Sequence, residues 1–271
     1  MVDRPDPSLD DLDRALEGDA KALGRIVRAL ERPFFALARR MMPTVADAEE
    51  ATQEALLRVV THLSSFDRRA KFSTWAFRVA VNQCLDHKSR ARRLPVLESH
   101  QIAAEIADGL ELEAPERTDD RALLAELKLD CSVAMLRALD VEHRAAYVLG
   151  EILELPGEEA AEALDIEPAA YRKRLSRARS TMREVLSEHC GLVDEGNACR
   201  CHRRLDQARA RGWLSLQHVD GDLALLRAEL ATLESAARVA SLYRADRDAT
   251  SRRDLAHRVL ELLRTTQSPR A

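Results

Sequence analysis

A paired helical pattern between residues 158 and 183 constrains the fold of this chain more than any other segment. Residues 158–164 have the spacing of a short helix, Asp165-Ile166-Glu167 has the polarity of a turn, and Pro168 opens a second helix at a position that proline favours. Two helices joined by so short a turn fit the length of a helix-turn-helix. The pattern therefore predicts a small helical domain around it.

The second helix of this pair has two chemically different faces. Its apolar side chains fall within about 80° on a helical wheel, and they are Tyr171, Leu175, Ala178, Met182 and Val185. Six Lys or Arg and no acid lie between residues 171 and 183. Surface helices usually mix both signs for i,i+4 pairing, so a merely solvated basic helix is the less favoured interpretation. We expect the basic face to contact guanine edges and phosphates.

An earlier helix, from about Thr44 to Leu63, is predicted to be acidic on one face. Thr44 can cap it, with Asp47 at the capping-box position. Leu56, Val59 and Leu63 cluster on one side of the wheel, and the acids lie opposite. A row of acids is more often a solvated face, while the alternative is a docking surface for a basic partner. This helix alone does not decide between the two.

The segment after that helix interleaves aromatic and basic residues. Residues 64–73 form a polar loop with Phe66 and Phe72 among bases, and another helix is predicted from about Thr74 to Arg92. Stacking surfaces beside phosphate partners are what unpaired bases require. The alternative is that the aromatic side chains are core, and we expect Trp75 to be mainly core.

Composition and charge exclude several other classes of protein. Glycine and proline number 9 each and aromatics are 4%, which favours an all-α fold. The net charge of −4 conceals alternating blocks, among them eight acids against one Arg in residues 98–120. No apolar run reaches the roughly 18 residues of a membrane helix, and the acidic N-terminus lacks a signal-peptide core. Five scattered cysteines favour a reducing, cytoplasmic setting.

These patterns divide the chain into four parts. A first helical domain occupies residues 9–94, with a break expected near Pro33, and residues 95–120 form an acidic linker with a short helix around Ile102 to Ile106. A second helical domain, which contains the helix-turn-helix, occupies residues 121–188. Residues 189–271 form a C-terminal extension.

The extension begins with a cluster of cysteine and histidine. Cys190, Cys199, Cys201 and His202 could supply four zinc ligands, although Cys-x-Cys is less typical than Cys-x-x-Cys. A redox switch and an inert reduced cluster are the alternatives, and Cys84 and Cys131 are expected to be core. Beyond the cluster, apolar spacing in residues 223–240 and 255–263 predicts a helical hairpin that regulates activity or partner choice. We expect it to pack within the chain, and packing on a partner is the alternative.

Several of these motifs together resemble a known family. Residues 47–54 and 72–82, Phe-Ser-Thr-Trp-Ala-Phe-Arg-Val-Ala-Val-Asn, resemble the second conserved region of bacterial sigma-70-type factors. Residues 158–164 and 171–179 resemble the fourth region. With only a short linker between them, the blocks look like the extracytoplasmic-function (ECF) group, and the resemblance covers about residues 9–188.

The resemblance implies a role for each surface. The acid face would bind the β′ clamp helices of core RNA polymerase through Asp47, Glu50, Gln53 and Glu54. The melted −10 element would be held by Phe66, Arg68, Arg69, Lys71, Phe72, Arg78 and Asn82. The −35 element would be held by Arg172, Lys173, Arg174, Ser176, Arg177 and Arg179. The fourth region would also sit on the β flap, the linker would approach the RNA exit path, and an anti-sigma factor would be a further partner.

The sequence departs from the family pattern at the helix-turn-helix, where Asp165 replaces the usual glycine and Glu167 the usual Ser or Thr cap. Asp tolerates left-handed geometry, so the turn is expected to survive. The alternative function is a stand-alone helix-turn-helix regulator, for which residues 47–82 would have no use. An enzyme is disfavoured because no phosphate loop, H-E-x-x-H or nucleophile motif is present. The resemblance requires no cofactor.

Overall fold

The structure, a computed structural model, consists of helices joined by loops and turns in the residues that it describes. These are 7–86, 96–108, 110, 124, 127, 131, 133–210 and 254–267, and no strand occurs among them. The chain forms two compact units, one of residues 1–94, 148–172 and 248–271, the other of residues 95–147 and 173–247. No described helix is long and apolar enough to cross a bilayer.

The first unit is built on four helices with well-defined starts. They are α1 (Leu9–Leu16), α2 (Ala20–Met41), α3 (Val45–Thr61) and α4 (Phe72–Asp86). The side chains of Ser8, Asp19 and Thr44 cap α1, α2 and α3, each accepting a hydrogen bond from a backbone N–H of the first turn. As predicted, Thr44 accepts from the N–H of Asp47, at 3.1 Å. The caps fix where each helix begins.

The break that we expected near Pro33 is wrong, because α2 runs without interruption from Ala20 to Met41. Proline removes one backbone hydrogen bond and costs about 3 kcal/mol in a helix interior. The residues that follow it, Phe34, Phe35 and Leu37, are at most 3% exposed. Burying each such side chain contributes about 1.5–3 kcal/mol. Packing of this helix face therefore outweighs the local preference of proline.

Two further α-helices among the described residues belong to the first unit. Helix α7 (Gly157–Ala163) packs against α4, and α10 (Leu255–Gln267) packs against α2 and α3. The backbone N–H groups of Leu255 and Ala256 donate to Oε1 of Glu31 at 2.7 and 3.2 Å. A carboxylate of α2 thus caps the last helix of the chain, and the expected packing of this helix within the chain is confirmed. The other predicted arm of the hairpin, residues 223–240, lies outside the described residues.

The second unit contains the remaining helices. They are α5 (Ser99–Ala107), α6 (Val141–Tyr147), most of α8 (Pro168–His189) and α9 (Leu205–Ala210). The short helix predicted around Ile102 is therefore confirmed. The guanidinium of Arg144 is buried and donates to the carbonyl oxygens of Leu136 and Leu139 at 3.0 and 2.8 Å. Burial lowers the pKa of Arg144 to about 10, so the group stays charged while it holds this turn to α6.

Candidate nucleic-acid interface

The acidic face of α3 lies where the sequence predicts it. Glu50 and Glu54 are exposed, and Asp47 and Gln53 are half-buried. On the opposite side, Leu56 and Val59 are at most 1% exposed. Oε2 of Glu54 accepts a hydrogen bond from the amide of Gln83 on α4, which holds that carboxylate in place. The helix therefore presents carboxylates outward from a packed base.

Three aromatic rings form a cluster where the loop 66–71 meets α4. The ring centroids of Phe66, Phe72 and Trp75 are 5.4–5.6 Å apart in each pair. Phe72 is only 3% exposed, while Phe66 and Trp75 are half-buried. Two expectations change. Trp75 was expected to be mainly core but is half-buried. Phe72 was expected to contact DNA but is buried. Phe72 supports the two rings that face solvent.

The loop has a defined backbone rather than an extended one. Arg68 has a φ of 62°, in the left-handed region that residues other than glycine rarely adopt. Asp67 accepts hydrogen bonds from the backbone N–H of Arg69 at 3.1 Å and from its guanidinium. The backbone hydrogen bond first, and then the side-chain one, lower the pKa of the Asp67 carboxyl. This turn holds the Arg69 side chain in an ion pair with Asp67.

A pocket of about 330 Å³ opens beside the aromatic cluster. Phe66 and Trp75 supply ring surface, Arg69 and Arg78 supply positive charge, and Glu162 of α7 closes one side. Flat apolar surface next to guanidinium groups suits a base with its phosphate. Asn82 is exposed further along α4.

The basic side chains around this pocket already have carboxylate partners. Lys71 Nζ lies 2.6 Å from Glu159 Oε1, and Arg78 lies 2.5 Å from Asp165. Arg68 pairs with Asp13, and Arg69 with Asp67. The partners of Lys71 and Arg78 lie 88 and 87 residues away in sequence. No local pattern announces such pairs, and sequence reasoning missed them.

The basic helix α8 forms as predicted, after a turn in which Asp165 has a φ of 55°. The apolar side chains predicted for its packed face are buried: Tyr171, Leu175, Ala178, Met182 and Val185. Arg174 is half-buried and lies 2.7 Å from Glu142. The other side chains assigned to the −35 element are exposed: Arg172, Lys173, Ser176, Arg177 and Arg179. In the described part of the chain, Arg172, Lys173 and Arg177 form no ion pair.

The cysteines fall into two groups. Cys84 is buried in α4, where burial raises the pKa of its thiol to about 12. Cys131 is half-buried rather than core; burial first, and then the nearby thiols of Cys190, Cys201 and Cys199, raise its pKa well above the ordinary value. The structure thus associates Cys131, and not Cys84, with the cysteines of the extension. Among the residues described, no three His, Cys, Asp or Glu side chains are already gathered closely enough to hold a metal ion.

Two family models match the chain in the places where these surfaces lie. The model described as Sigma-70 region 2 matches residues 26–94, which contain α3, the aromatic loop and α4. The model described as Sigma-70, region 4 matches residues 129–182, which contain α7 and most of α8. The acidic row, the aromatic pocket and the basic helix therefore all lie within the matched residues.

Individual relatives agree with the two family models. The chain is 30% identical over 180 residues to the ECF RNA polymerase sigma factor SigW of Bacillus subtilis, with 64% of this chain and 92% of that protein covered. It is 30% identical over 169 residues to SigM of Mycobacterium tuberculosis, covering 62% and 79%, and 28% identical over 173 residues to the sigma-E factor of Escherichia coli, covering 63% and 90%.

One solved structure, titled "Structure of CnrH in complex with the cytosolic domain of CnrY", matches with a TM-score of 0.49 and 24% identity. It covers 66% of this chain and 96% of that one. A likeness at this level says nothing about partners.

Proposed function

This chain belongs to the extracytoplasmic-function group of sigma-70 factors, and on that premise we propose how its surfaces divide the work of starting transcription. A sigma factor binds core RNA polymerase and directs promoter recognition, DNA melting and initiation. The finer assignment concerns which side chains contact the enzyme, which hold melted DNA and which hold duplex.

The acidic row on α3 is the proposed docking surface for core polymerase, through the β′ clamp helices. Exposed Glu50 and Glu54, with Asp47 and Gln53 beside them, support this because a rigid carboxylate row complements a basic helical partner. The hydrogen bond from Gln83 orients Glu54 before the partner arrives. The β flap would contact the helix-turn-helix domain.

The aromatic pocket is the proposed site for unpaired bases of the −10 element. Stacking on Phe66 and Trp75 supplies about 1–3 kcal/mol per base, whatever the base. Arg69 and Arg78 line the same pocket, Lys71 lies beside it, and Asn82 extends the surface along α4. Phe72 is buried and supports the two half-buried rings rather than contacting DNA.

The exposed basic face of α8 is the proposed contact with −35 duplex. Arg172 and Lys173 lie in the first half of the helix, which in a helix-turn-helix reaches base edges in the major groove. Arg177 and Arg179 lie nearer the end and would contact phosphates. Arg174 would contribute less, because it is already paired with Glu142.

Ion pairs join Lys71 and Arg78 to the helix-turn-helix, so the two DNA surfaces differ in how readily DNA can reach their basic side chains. While Glu159 and Asp165 hold Lys71 and Arg78, DNA must displace a carboxylate to reach either cation. We therefore propose that the two pairs modestly lower the affinity of the free chain for melted −10 DNA, and that core polymerase separates these elements. A stand-alone regulator would have no such dependence.

The proposal also covers catalysis, cofactors, cellular location and further partners. We propose that initiation uses no catalytic residue of this chain and no cofactor, and that the chain acts in the cytoplasm. An anti-sigma factor is proposed as a further partner. The acidic residues of 95–120 are proposed to approach the RNA exit path, where growing transcript of the same charge sign would displace them.

The observation that carries this proposal is the presence, within one chain, of a carboxylate row, an aromatic pocket lined by arginines and a helix with an exposed basic face. Transcription by purified core polymerase on a genomic fragment library, with and without the full chain, tests it. We expect defined start sites only when both are present. Tight, sequence-specific duplex binding by the chain alone in gel shifts, without added transcription, would instead support the regulator.

A further inference from the structure

A helix of the C-terminal extension fills a groove in the first compact unit. Helix α10 packs against both α2 and α3, and all three helices belong to that unit. Leu255, Ala256 and Val259 of α10 are at most 1% exposed. Side chains buried this deeply belong to a packed core rather than to a loosely attached tail. The groove between α2 and α3 is therefore occupied by a segment of this same chain.

Two carboxylates fix the start of α10. Oδ1 of Asp254 accepts a hydrogen bond from the backbone N–H of His257 at 2.7 Å, which is a local cap. Oε1 of Glu31, on α2, accepts from the N–H groups of Leu255 and Ala256. Negative charge is favourable at this end of a helix, where N–H groups lack partners within the helix. Because Glu31 belongs to another helix, its bonds fix the position of α10 on α2.

Helices α4 and α10 both support α3, at different places. Each packs against α2 and α3, but the two have at most marginal contact with one another, so they cover separate parts of the α2–α3 pair. Gln83 of α4 donates a hydrogen bond to Glu54, which places α4 beside one edge of the acidic row. The position of α3 therefore depends on α10 as well as on the helices that surround it in sequence.

Helix α10 leaves the acidic row of α3 uncovered. With α10 in the groove, Glu50 and Glu54 are exposed, and Asp47 and Gln53 are half-buried. A helix that blocked this surface would bury the same side chains. The packing of α10 is therefore compatible with a partner that binds the row.

We propose that α10 is an accessory helix of the polymerase-docking domain, and that its packing between α2 and α3 holds α3 in the position from which the acidic row binds core polymerase. The C-terminal extension therefore raises the affinity of the chain for the enzyme. Glu31 and Val259 are positioning residues, because they act on the row through the packing of α10. This inference rests on the proposed docking surface, and it adds that the surface requires residues 255–267 in the groove.

The coupling between α10 and the row follows from the packing of α3. If α10 left the groove, the apolar surface that it covers on α2 and α3 would meet water, and the two helices would shift to reduce that exposure. Protein interiors are close-packed and transmit such shifts, so a change on one face of α3 moves the side chains on its other faces. The carboxylates of the row would then no longer match the spacing of the partner's basic groups.

The affinity of full-length variants for core polymerase tests this inference. Val259→Asp places a charge in the groove and should release α10, because a buried unpaired charge is costly. We expect its affinity for core polymerase to fall about fivefold or more, the usual range for coupled sites. Leu262→Asp introduces the same charge at a side chain of α10 that is 44% exposed, and it should bind as the wild type does. Hydrogen exchange should show loss of protection in residues 255–267 only for Val259→Asp.

The cap from α2 offers a milder perturbation of the same packing. Glu31→Ala removes the acceptor of two N–H groups and should weaken core binding in the same direction, whereas Glu31→Gln keeps an acceptor oxygen and should recover most of the affinity. A peptide of residues 250–271, added to the Val259→Asp chain, should fill the vacated groove and restore core binding. A chain that had lost its fold could not be repaired by the peptide, so restoration identifies positioning.

Wild-type affinity in Val259→Asp overturns the inference, as does tighter binding, which would make α10 an autoinhibitory helix. Retained protection of residues 255–267 in that variant, or failure of the peptide to restore binding, also overturns it. Glu54→Lys tests the docking surface separately. Weaker core binding in Glu54→Lys with normal binding in Val259→Asp would keep the proposed docking surface and remove only the role of α10. Full affinity in Glu54→Lys would remove the docking surface itself.

Discussion

The two proposed DNA surfaces use the same kinds of side chain but hold them in different states. Around the aromatic pocket, Lys71 and Arg78 are each paired with a carboxylate of the helix-turn-helix. On α8, Arg172 and Lys173 are exposed and, as far as the structure describes the chain, unpaired. One surface is available to DNA at once and the other only after a rearrangement. The basic side chains of the two surfaces would by themselves predict that both are equally available to DNA.

The magnitudes indicate that the pairing around the pocket is a weak constraint. Three of the four side chains are well exposed, at 62% for Lys71, 41% for Arg78 and 73% for Asp165, while Glu159 is 15% exposed. Ion pairs at such exposure are typically worth about 0–1 kcal/mol each. Core polymerase, binding elsewhere, can therefore break both without a large cost. Base stacking in the pocket then contributes more binding free energy than the two ion pairs contributed to the free chain.

The largest effect is expected on the available surface. Replacing Arg172 and Lys173 with alanine should weaken binding of the polymerase complex to duplex carrying the −35 element by about tenfold or more, because each base contact is worth about 1–3 kcal/mol. Core binding should be unchanged. Arg28→Ala, which removes an exposed cation of α2, is the matched control. If that control loses as much affinity, α8 is not the specific contact.

The next largest effect is expected in the pocket. Phe66→Ala removes a stacking surface worth about 1–3 kcal/mol per base, so open complexes measured by permanganate reactivity should fall about tenfold while duplex binding persists. Leu16→Ala, at another exposed apolar side chain, should have no effect. Normal melting in Phe66→Ala would place the unpaired bases elsewhere.

A smaller, opposite effect is expected when the carboxylates are neutralised. Glu159→Gln with Asp165→Asn should raise the affinity of the free chain for single-stranded −10 DNA by about twofold to fivefold, because each exposed pair is worth at most about 1 kcal/mol. Glu158→Gln changes an exposed neighbour in α7 and serves as control. The gain should shrink as salt screens the pairs. Equal affinities of the wild type and the double variant in fluorescence anisotropy would show that these ion pairs do not limit binding of −10 DNA.

The smallest effect is expected at the edge of the pocket surface. Asp13→Asn frees Arg68 from a pair in which both side chains are about half exposed. The same anisotropy assay should show a change of less than about twofold. A gain in affinity as large as that of the Glu159 and Asp165 double variant would show that the carboxylate limiting DNA binding is on α1 rather than on the helix-turn-helix.

Local features of the fold were predictable, and distant ones were not. Thr44 as a cap, the left-handed turn at Asp165 and the two faces of α8 each depend on residues within a few positions of one another. The ion pairs of Lys71 and Arg78 depend on tertiary packing across more than 80 residues. Tertiary packing also explains why the sequence did not predict that α2 continues through Pro33, or that Cys131 lies near Cys190.

The central claim is that an acidic row docks this chain on core polymerase, and Glu54→Lys tests it most directly. The affinity of the purified chain for core polymerase should fall at least about tenfold, since charge reversal both removes an attraction and adds a repulsion. Glu17→Lys, at the exposed acid that follows the last residue of α1, should bind as the wild type does. If Glu54→Lys retains full affinity for core polymerase in a titration at physiological salt, the docking surface is not on α3.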